Sequence, residues 1–406
     1  MSLELLRLIC AQIFLHSTLA GNRMAAPLLA LHEGYSAAAI GLLLALFGLA
    51  QVLLAIPVGR YADRHGLKRP IAFAVIAACM GGALAAIWPV FGVLCVTAFL
   101  TGGAAGAAVI TVQRQVGRLS EGGAQLRRSF SWLAIGPSVS NLGGALAVGF
   151  LIDHAGPSPG SVQGFQAAFA LMAVVPLITW LLLRPVREVL DDQPAGERPS
   201  AWRAWQLLRE PGVARLMMVN WFVSSSWDVH SLVVPLLGVE RGLSASQIGM
   251  ILGAFAVATG VVRLLLPLLA DHIREWAVMV TAMISAGLLF AVYPLLPSAL
   301  AMGACSFCMG LVLGVVQPMV MSILHQVTPP DRHGEALGLR LMAVTATGVV
   351  VPLLLGTASS LIGLSGVLWM AAAVVGSGSR VAWGLRAVGK GKHGRGDSPG
   401  SDAQSR

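Results

Sequence analysis

Twelve runs of about twenty apolar residues, spread over almost the whole chain, constrain its fold more than any other feature. As a helix rising about 1.5 Å per residue, each run covers the ~30 Å hydrocarbon core of a bilayer. The runs fall at 8–31, 37–60, 70–89, 91–113, 129–152, 164–184, 213–238, 245–270, 276–296, 298–325, 335–357 and 361–384, here spans 1 to 12. Only 11% of the 406 residues are charged, whereas soluble domains carry about 25%. Aromatic residues make up 6% and glycines number 47, which suits helices packed through small residues and not a lipid-spanning barrel. The expected fold class is all-α integral membrane. Span 1 follows a weak basic segment and eleven spans come after it, so it reads as a retained helix and not a cleaved leader.

The formal net charge is +9. Nucleic-acid binding is excluded because the basic residues sit between spans and not on one soluble face. They report topology instead. With a cytoplasmic N-terminus, the 2–3 loop carries Arg60, Arg64, Lys68 and Arg69, and the 4–5 loop carries Arg114, Arg118, Arg127 and Arg128. The central connector region carries Arg184, Arg187, Arg198, Arg203, Arg209 and Arg215. The opposite face offers only Arg241. This asymmetry puts both termini in the cytoplasm, and the absence of eukaryotic targeting features points to a bacterial inner membrane. The same basic residues will touch anionic lipid.

The chain divides into a six-span half at 1–184, a polar connector at 185–212, a second six-span half at 213–384 and a basic Gly/Ser-rich tail at 385–406 that reads as disordered. The halves are related. At a shift of 208 positions, Pro27-Leu-Leu meets Pro235-Leu-Leu, and Gly34, Ser36, Ile40 and Gly41 meet Gly242, Ser244, Ile248 and Gly249. Leu44, Phe47, Ala50 and Asp63 meet Leu252, Phe255, Ala258 and Asp271. The repeat therefore joins two halves of the same orientation.

The segment Gly59-Arg-Tyr-Ala-Asp63-Arg64-His-Gly66-Leu-Lys68-Arg69 resembles the signature between helices 2 and 3 of the major facilitator superfamily. Leu67 replaces one basic residue of that signature. The counterpart Pro267-Leu-Leu-Ala-Asp271-His-Ile-Arg274 is degenerate. Span 5 contains Gly136-Pro137-Ser-Val-Ser-Asn141-Leu-Gly143-Gly144, similar to a glycine–proline motif of the superfamily's proton-coupled exporters but with extra residues before the glycine pair.

The resemblance covers residues 1 to about 384. It implies two parallel six-helix repeats around a central cavity, with substrate near the midplane, the arrangement for which this superfamily is the type example. It also implies a monomer with both halves in one chain. Gly59 is expected to allow close helix approach. Asp63 is expected to meet the N-terminus of span 11 and a nearby Arg114 or Arg118, forming a clasp that favours one transporter state; a plain orientation signal is the alternative. Pro137 is expected to bend span 5, and its glycines to pack on span 8.

Charges inside membrane spans are costly and mark function. Arg23 lies in span 1, and Asp228 and His230 lie in span 7. The repeat places Arg23 and Asp228 about 4.5 Å apart in depth, and spans 1 and 7 line the cavity in the resembled family. An Arg23–Asp228 ion pair across the halves is expected, either as a proton-coupling device or as a static structural pair. Pairing favours the ionised carboxylate, and separation in a dry cavity favours its protonation. His16 and His230 are proton relays, substrate donors or packing histidines. Arg263, in span 8, reads as structural. Asn22, Asn141, Asn220, Ser224 to Ser226 and Gln317 are polar cavity candidates or interhelical glue, and Trp221 and Trp227 are candidate apolar walls.

Other chemistry finds no support. Cys305-x-x-Cys308 lacks a second ligand pair, and Asp191-Asp192 stands among Pro, Gly and Glu, so no metal is expected. Gly384-Leu-Arg-Ala-Val-Gly389-Lys390-Gly391 lacks the strand, helix and Ser/Thr of a phosphate-binding loop. No cofactor is expected, and no cluster of catalytic groups indicates an enzyme. Nor does an added signalling domain indicate a sensor. The reading is a secondary transporter for a small organic molecule. The span-5 motif favours proton-driven efflux. The intramembrane arginine favours the alternative, proton symport of an organic acid.

Overall fold

The computed structural model describes residues 2–119, 129, 132–188, 206–269, 274–328 and 333–386, and their regular structure is helical throughout. The first half supplies α1 (Leu3–His32), α2 (Ala37–His65), α3 (Lys68–Ile87), α4 (Phe91–Leu119), α5 (Gly136–His154) and α6 (Val162–Leu183). The second supplies α7 (Pro211–Glu240), α8 (Ala245–Leu269), α9 (Glu275–Val292) and α10 (Ala299–Val327). The final stretch, His333–Trp383, has 51 residues, roughly 75 Å of helix and too long for one crossing. It breaks at Gly363 (φ 71°, ψ 170°) into α11 (333–362) and α12 (364–383).

Hydropathy alone places the last turn at 358–360. The structure moves it to Gly363 because the intervening hydroxyls bond back to helix carbonyls, Ser359 Oγ to Gly356 at 3.0 Å and Ser360 Oγ to Thr357 at 2.6 Å. Ten described stretches are long and apolar enough to cross a membrane. Separating α12 from α11 and adding the shorter, Gly- and Ser-rich α5 brings the crossings to twelve. Ile56, Phe73, Leu181 and Leu288 point outward with more than half their surface exposed, as a hydrocarbon environment allows.

Local chemistry sets the helix ends. The Ser2, Ser36 and Ser298 hydroxyls each accept a backbone N–H of the first turn at 3.3 Å. The repeat is also visible in the backbone. Gly34 (φ 82°) and Gly242 (φ 70°), 208 positions apart, make the same left-handed turn after α1 and α7, a conformation glycine adopts without a Cβ penalty. Gly66 (φ 75°) closes α2, which accounts for the second glycine of the signature.

The end of the bundle bearing Arg60, Lys68 and Arg114 is the basic end, and the opposite one is the far end. The halves meet along two equivalent seams, α2 with α11 and α5 with α8. Small residues make both. A Cβ on Gly356 would stand 2.7 Å from the Ala37 carbonyl oxygen, one on Gly149 2.6 Å from that of Ala245, and one on Gly249 2.7 Å from that of Ala145. At the far end, Asp153 at the close of α5 accepts the N–H groups of Ala245 (3.1 Å) and Ser246 (2.7 Å) at the start of α8. Ser244 and Gln247 complete a reciprocal capping box there. A carboxylate of one half thus satisfies helix-terminal donors of the other.

Four expectations need correction. Pro137 lies in the first turn of α5, where its missing N–H is harmless, so it starts a helix and does not bend one. Span 5 does not run unbroken from 129, because a turn occupies 134–135. Gly144 packs on α1, where a Cβ would stand 2.6 Å from the Ser17 carbonyl oxygen, and the α5 glycine that packs on α8 is Gly149, outside the motif. Gly59 does not mark a close approach: a Cβ there would meet nothing within 4 Å among the described residues.

The start of the connector packs on the first half, with Glu188 accepting the Lys68 N–H at 2.6 Å. Most of the connector, the tail beyond 386 and Asp271 lie outside the described residues. Gly149→Val is expected to force the α5–α8 seam apart and to cost about 1–3 kcal/mol. Gly59→Ala is expected to stay within about 0.5 kcal/mol. Thermal unfolding of the two purified variants in detergent checks both.

Candidate functional site

Where α1, α5, α7 and α8 meet, Arg23 and Asp228 face each other across the halves. Arg23 Nη2 lies 3.5 Å from Asp228 Oδ1, with the carboxylate side chain 9% exposed and the guanidinium 28%. This is an ion pair with a long hydrogen bond. Thr347, fully buried on α11, donates its hydroxyl to the Val344 carbonyl at 2.7 Å within its own helix. A cavity of about 70 Å³ adjoins the pair, lined by Arg23, Asn141, Trp227, His230, Ser231 and Phe255 among others. That is space for about two waters or one small solute group.

His230 does not reach Asp228. Its Nε2 pairs with Ser306 Oγ at 2.9 Å, which lies 2.8 Å from the Tyr293 hydroxyl, and its ring stacks on Phe255 with centroids 4.3 Å apart. Trp227 meets the same phenyl ring edge-on at 4.6 Å. These contacts fix one wall of the cavity. Trp221 lies outside it, against Phe222 and 36% exposed.

The remaining polar candidates form a pattern on two helices. Asn22 and Asn220 are fully buried, and neither side chain has a hydrogen-bond partner among the described residues. Gln12 Oε1, His16 Nδ1, the Ser224 and Ser225 hydroxyls and His230 Nδ1 are likewise enclosed and unpartnered. Extending the 208-residue repeat pairs Gln12 with Asn220, His16 with Ser224, Ser17 with Ser225, and Asn22 with His230. Each unpaired buried group costs about 1–3 kcal/mol, so the two columns call for water or solute. Gln12 was missed in the sequence, although the repeat, carried back from Pro27, would have found it, while its neighbour in the pattern, Ser17, bonds back to the Ile13 carbonyl at 2.8 Å.

Gln317 stands apart from this cluster. Its Oε1 accepts from Nη2 of Arg340 on α11. Arg340 escaped the sequence reading because it lies five residues inside span 11 and reads as a flanking charge. Arg263 donates from Nη1 to the Ala134 carbonyl at 3.1 Å.

In the signature, Asp63 Oδ1 accepts Arg114 Nε at 2.8 Å, and the Asp63 carbonyl accepts Arg114 Nη2 at 3.1 Å, tying α2 to α4 within the first half. Arg64 and Arg69 are exposed. The segment before His333, where Asp63 was expected to meet the helix start, lies partly outside the described residues. Among the described residues no three His, Cys, Asp or Glu side chains gather as a metal site would require.

Twelve membrane crossings in two repeat-related halves, with a cross-half ion pair beside a polar cavity, define a membrane transporter fold. The chain belongs to the Major Facilitator Superfamily, whose sequence model matches it at residues 8–229 and again at 216–400. Its backbone resembles a POT family transporter in complex with 5-aminolevulinic acid (TM-score 0.77, 11% identity, 95% of this chain and 96% of that one). It also resembles a bacterial homologue of the human lysosomal transporter Spinster in an inward-facing, unoccupied conformation (0.76, 14%, 95% and 97%). A mutant of the nucleoside transporter NupG matches similarly (0.75, 13%, 96% and 100%).

Removing one member of the pair leaves the other charge unpaired. Asp228→Asn and Arg23→Gln are each expected to cost about 3 kcal/mol, and the double variant clearly less than their sum. Melting temperatures of the four proteins in one detergent measure that coupling.

Proposed function

We propose that this transporter moves a small organic solute by alternating access and exports it in exchange for protons. The observation that carries the reading is the Arg23–Asp228 pair, a titratable carboxylate held by a charge from the opposite half that itself lines the cavity. Asp228 is the proposed proton carrier and Arg23 its counter-charge. When Asp228 takes a proton, the attraction between the halves weakens. When it releases the proton, the pair re-forms. Asn22, Asn141, Asn220, Ser224 and Trp227 are the proposed solute-facing groups, with His16 and His230 as donors to solute or water. Gln317 serves a separate position near the basic end.

The basic end is proposed to be cytoplasmic, with both termini on that side of a bacterial inner membrane, in line with the positive-inside rule. The halves are taken as 1–184 and 213–384, joined by a cytoplasmic connector at 185–212, in a monomer. Proton-coupled uptake of an organic acid is the second reading. Arg23 favours it, since a guanidinium recognises a carboxylate.

The test uses inverted membrane vesicles acidified inside, candidate solutes and a lumenal pH dye. Wild type is expected to release protons on addition of a transported solute. Asp228→Asn is expected to fall to background and Asp228→Glu to retain part of the rate. Equal rates in wild type and both variants would remove Asp228 from the coupling path.

A further inference from the structure

A second pair of intramembrane charges lies apart from the cavity, near the basic end. Arg263 sits six residues before the end of α8, and Arg340 seven residues after the start of α11. Both are half-buried. Arg340 reaches Gln317 on α10, the helix that packs against α8 beside Arg263. Neither has a carboxylate partner among the described residues. Arg263 gives one hydrogen bond, to the Ala134 carbonyl, and Arg340 gives one, to Gln317. Arg340 Nε is enclosed and unpartnered.

The surroundings hold the two cations in place. Gly314 on α10 packs against α8, where a Cβ would lie 2.6 Å from Val262 Cγ1. This brings Gln317, one turn further along α10, to the level of Arg263. The Ala134 carbonyl is free because Ser138 N–H bonds to Ile135 at 3.0 Å where α5 begins. Two guanidiniums in this part of a membrane protein are expensive unless an anion joins them. Their planar, multiple donors match an oxyanion. Arg340 and Thr347 are seven residues apart and share a face of α11. Arg340 therefore lies about 10 Å along that helix from Thr347.

We infer that Arg263 and Arg340, with the Gln317 amide, form a binding site for an oxyanion group, carboxylate or phosphate, on a small solute that reaches the bundle from the basic end. This deepens the transport reading by naming the class of solute, and it rests on that reading only for the fate of the bound anion. A lipid headgroup offers the same chemistry, and the experiment separates the two sources.

Purified full-length protein in a neutral detergent is melted in sodium succinate, sodium phosphate and sodium chloride at matched ionic strength, with and without added phosphatidylglycerol. The wild-type melting temperature is expected to rise with succinate or phosphate above the chloride control. In Arg263→Gln and Arg340→Gln, apparent affinity is expected to weaken about ten-fold or more, the change for losing one charge-assisted hydrogen bond. Arg340→Lys, which keeps the charge, is expected to retain weaker binding, and with Gln317→Leu it carries the test if a glutamine variant fails to fold. The inference is overturned if neither anion stabilises wild type beyond chloride, if the variants respond as wild type does, or if only phosphatidylglycerol stabilises. Binding needs no gradient, so a negative result here leaves proton coupling standing, and failed coupling leaves this site standing.

Discussion

A carboxylate removed from water in a membrane protein must find a cation, a proton or a substrate, and Asp228 has its cation in the other half of the molecule. That arrangement makes its charge state a statement about conformation. Arg23 and Asp228 belong to helices from different repeats, so any motion that separates the halves at this level lengthens a 3.5 Å contact in a poorly solvated setting. The ionised pair therefore favours the arrangement seen here, and a ligand or proton that binds better to the separated form shifts the balance.

The closure at the far end supports the pair. Gly149 against Ala245 and Gly356 against Ala37 let backbones approach without side chains between them. Asp153 adds a hydrogen-bonded link to the start of α8. The repeat does not reproduce that link. At the start of α2, the equivalent end, Ser36 caps its own helix and the approach of Gly356 stands where the other seam has a carboxylate. The two seams are thus built from one plan with different chemistry. In lipid this packing replaces the apolar burial that holds soluble proteins together, because tails and leucines are equally apolar.

Much of the fold was legible because hydrophobic length and charge asymmetry survive any detail of packing. The 208-residue repeat gave the parallel halves, and depth along spans 1 and 7 gave the Arg23–Asp228 juxtaposition. Packing partners were not legible. Gly144 faces α1 and a Cβ on Gly59 would meet nothing among the described residues, since a glycine in a sequence announces room for approach but not which helix approaches. Pro137 was misread because a proline signals the start of a helix as readily as a bend, and only the turn at 134–135 tells them apart. Arg340 was missed because a charge near a span boundary looks like a topology marker until the helix is seen to extend past it. The orphan group on Gln12 emerges only when burial and the repeat are taken together.

If the charge of Asp228 holds the far end closed, removing that charge must open it. Pulsed electron–electron resonance between spin labels at Glu33→Cys and Leu361→Cys, in a background without the native cysteines, measures the far-end separation of the halves directly. Asp228→Asn is expected to add a longer-distance population, and lowering the pH is expected to do the same in the otherwise unmutated protein. An unchanged distance distribution in a folded Asp228→Asn variant would contradict the central role given to this carboxylate.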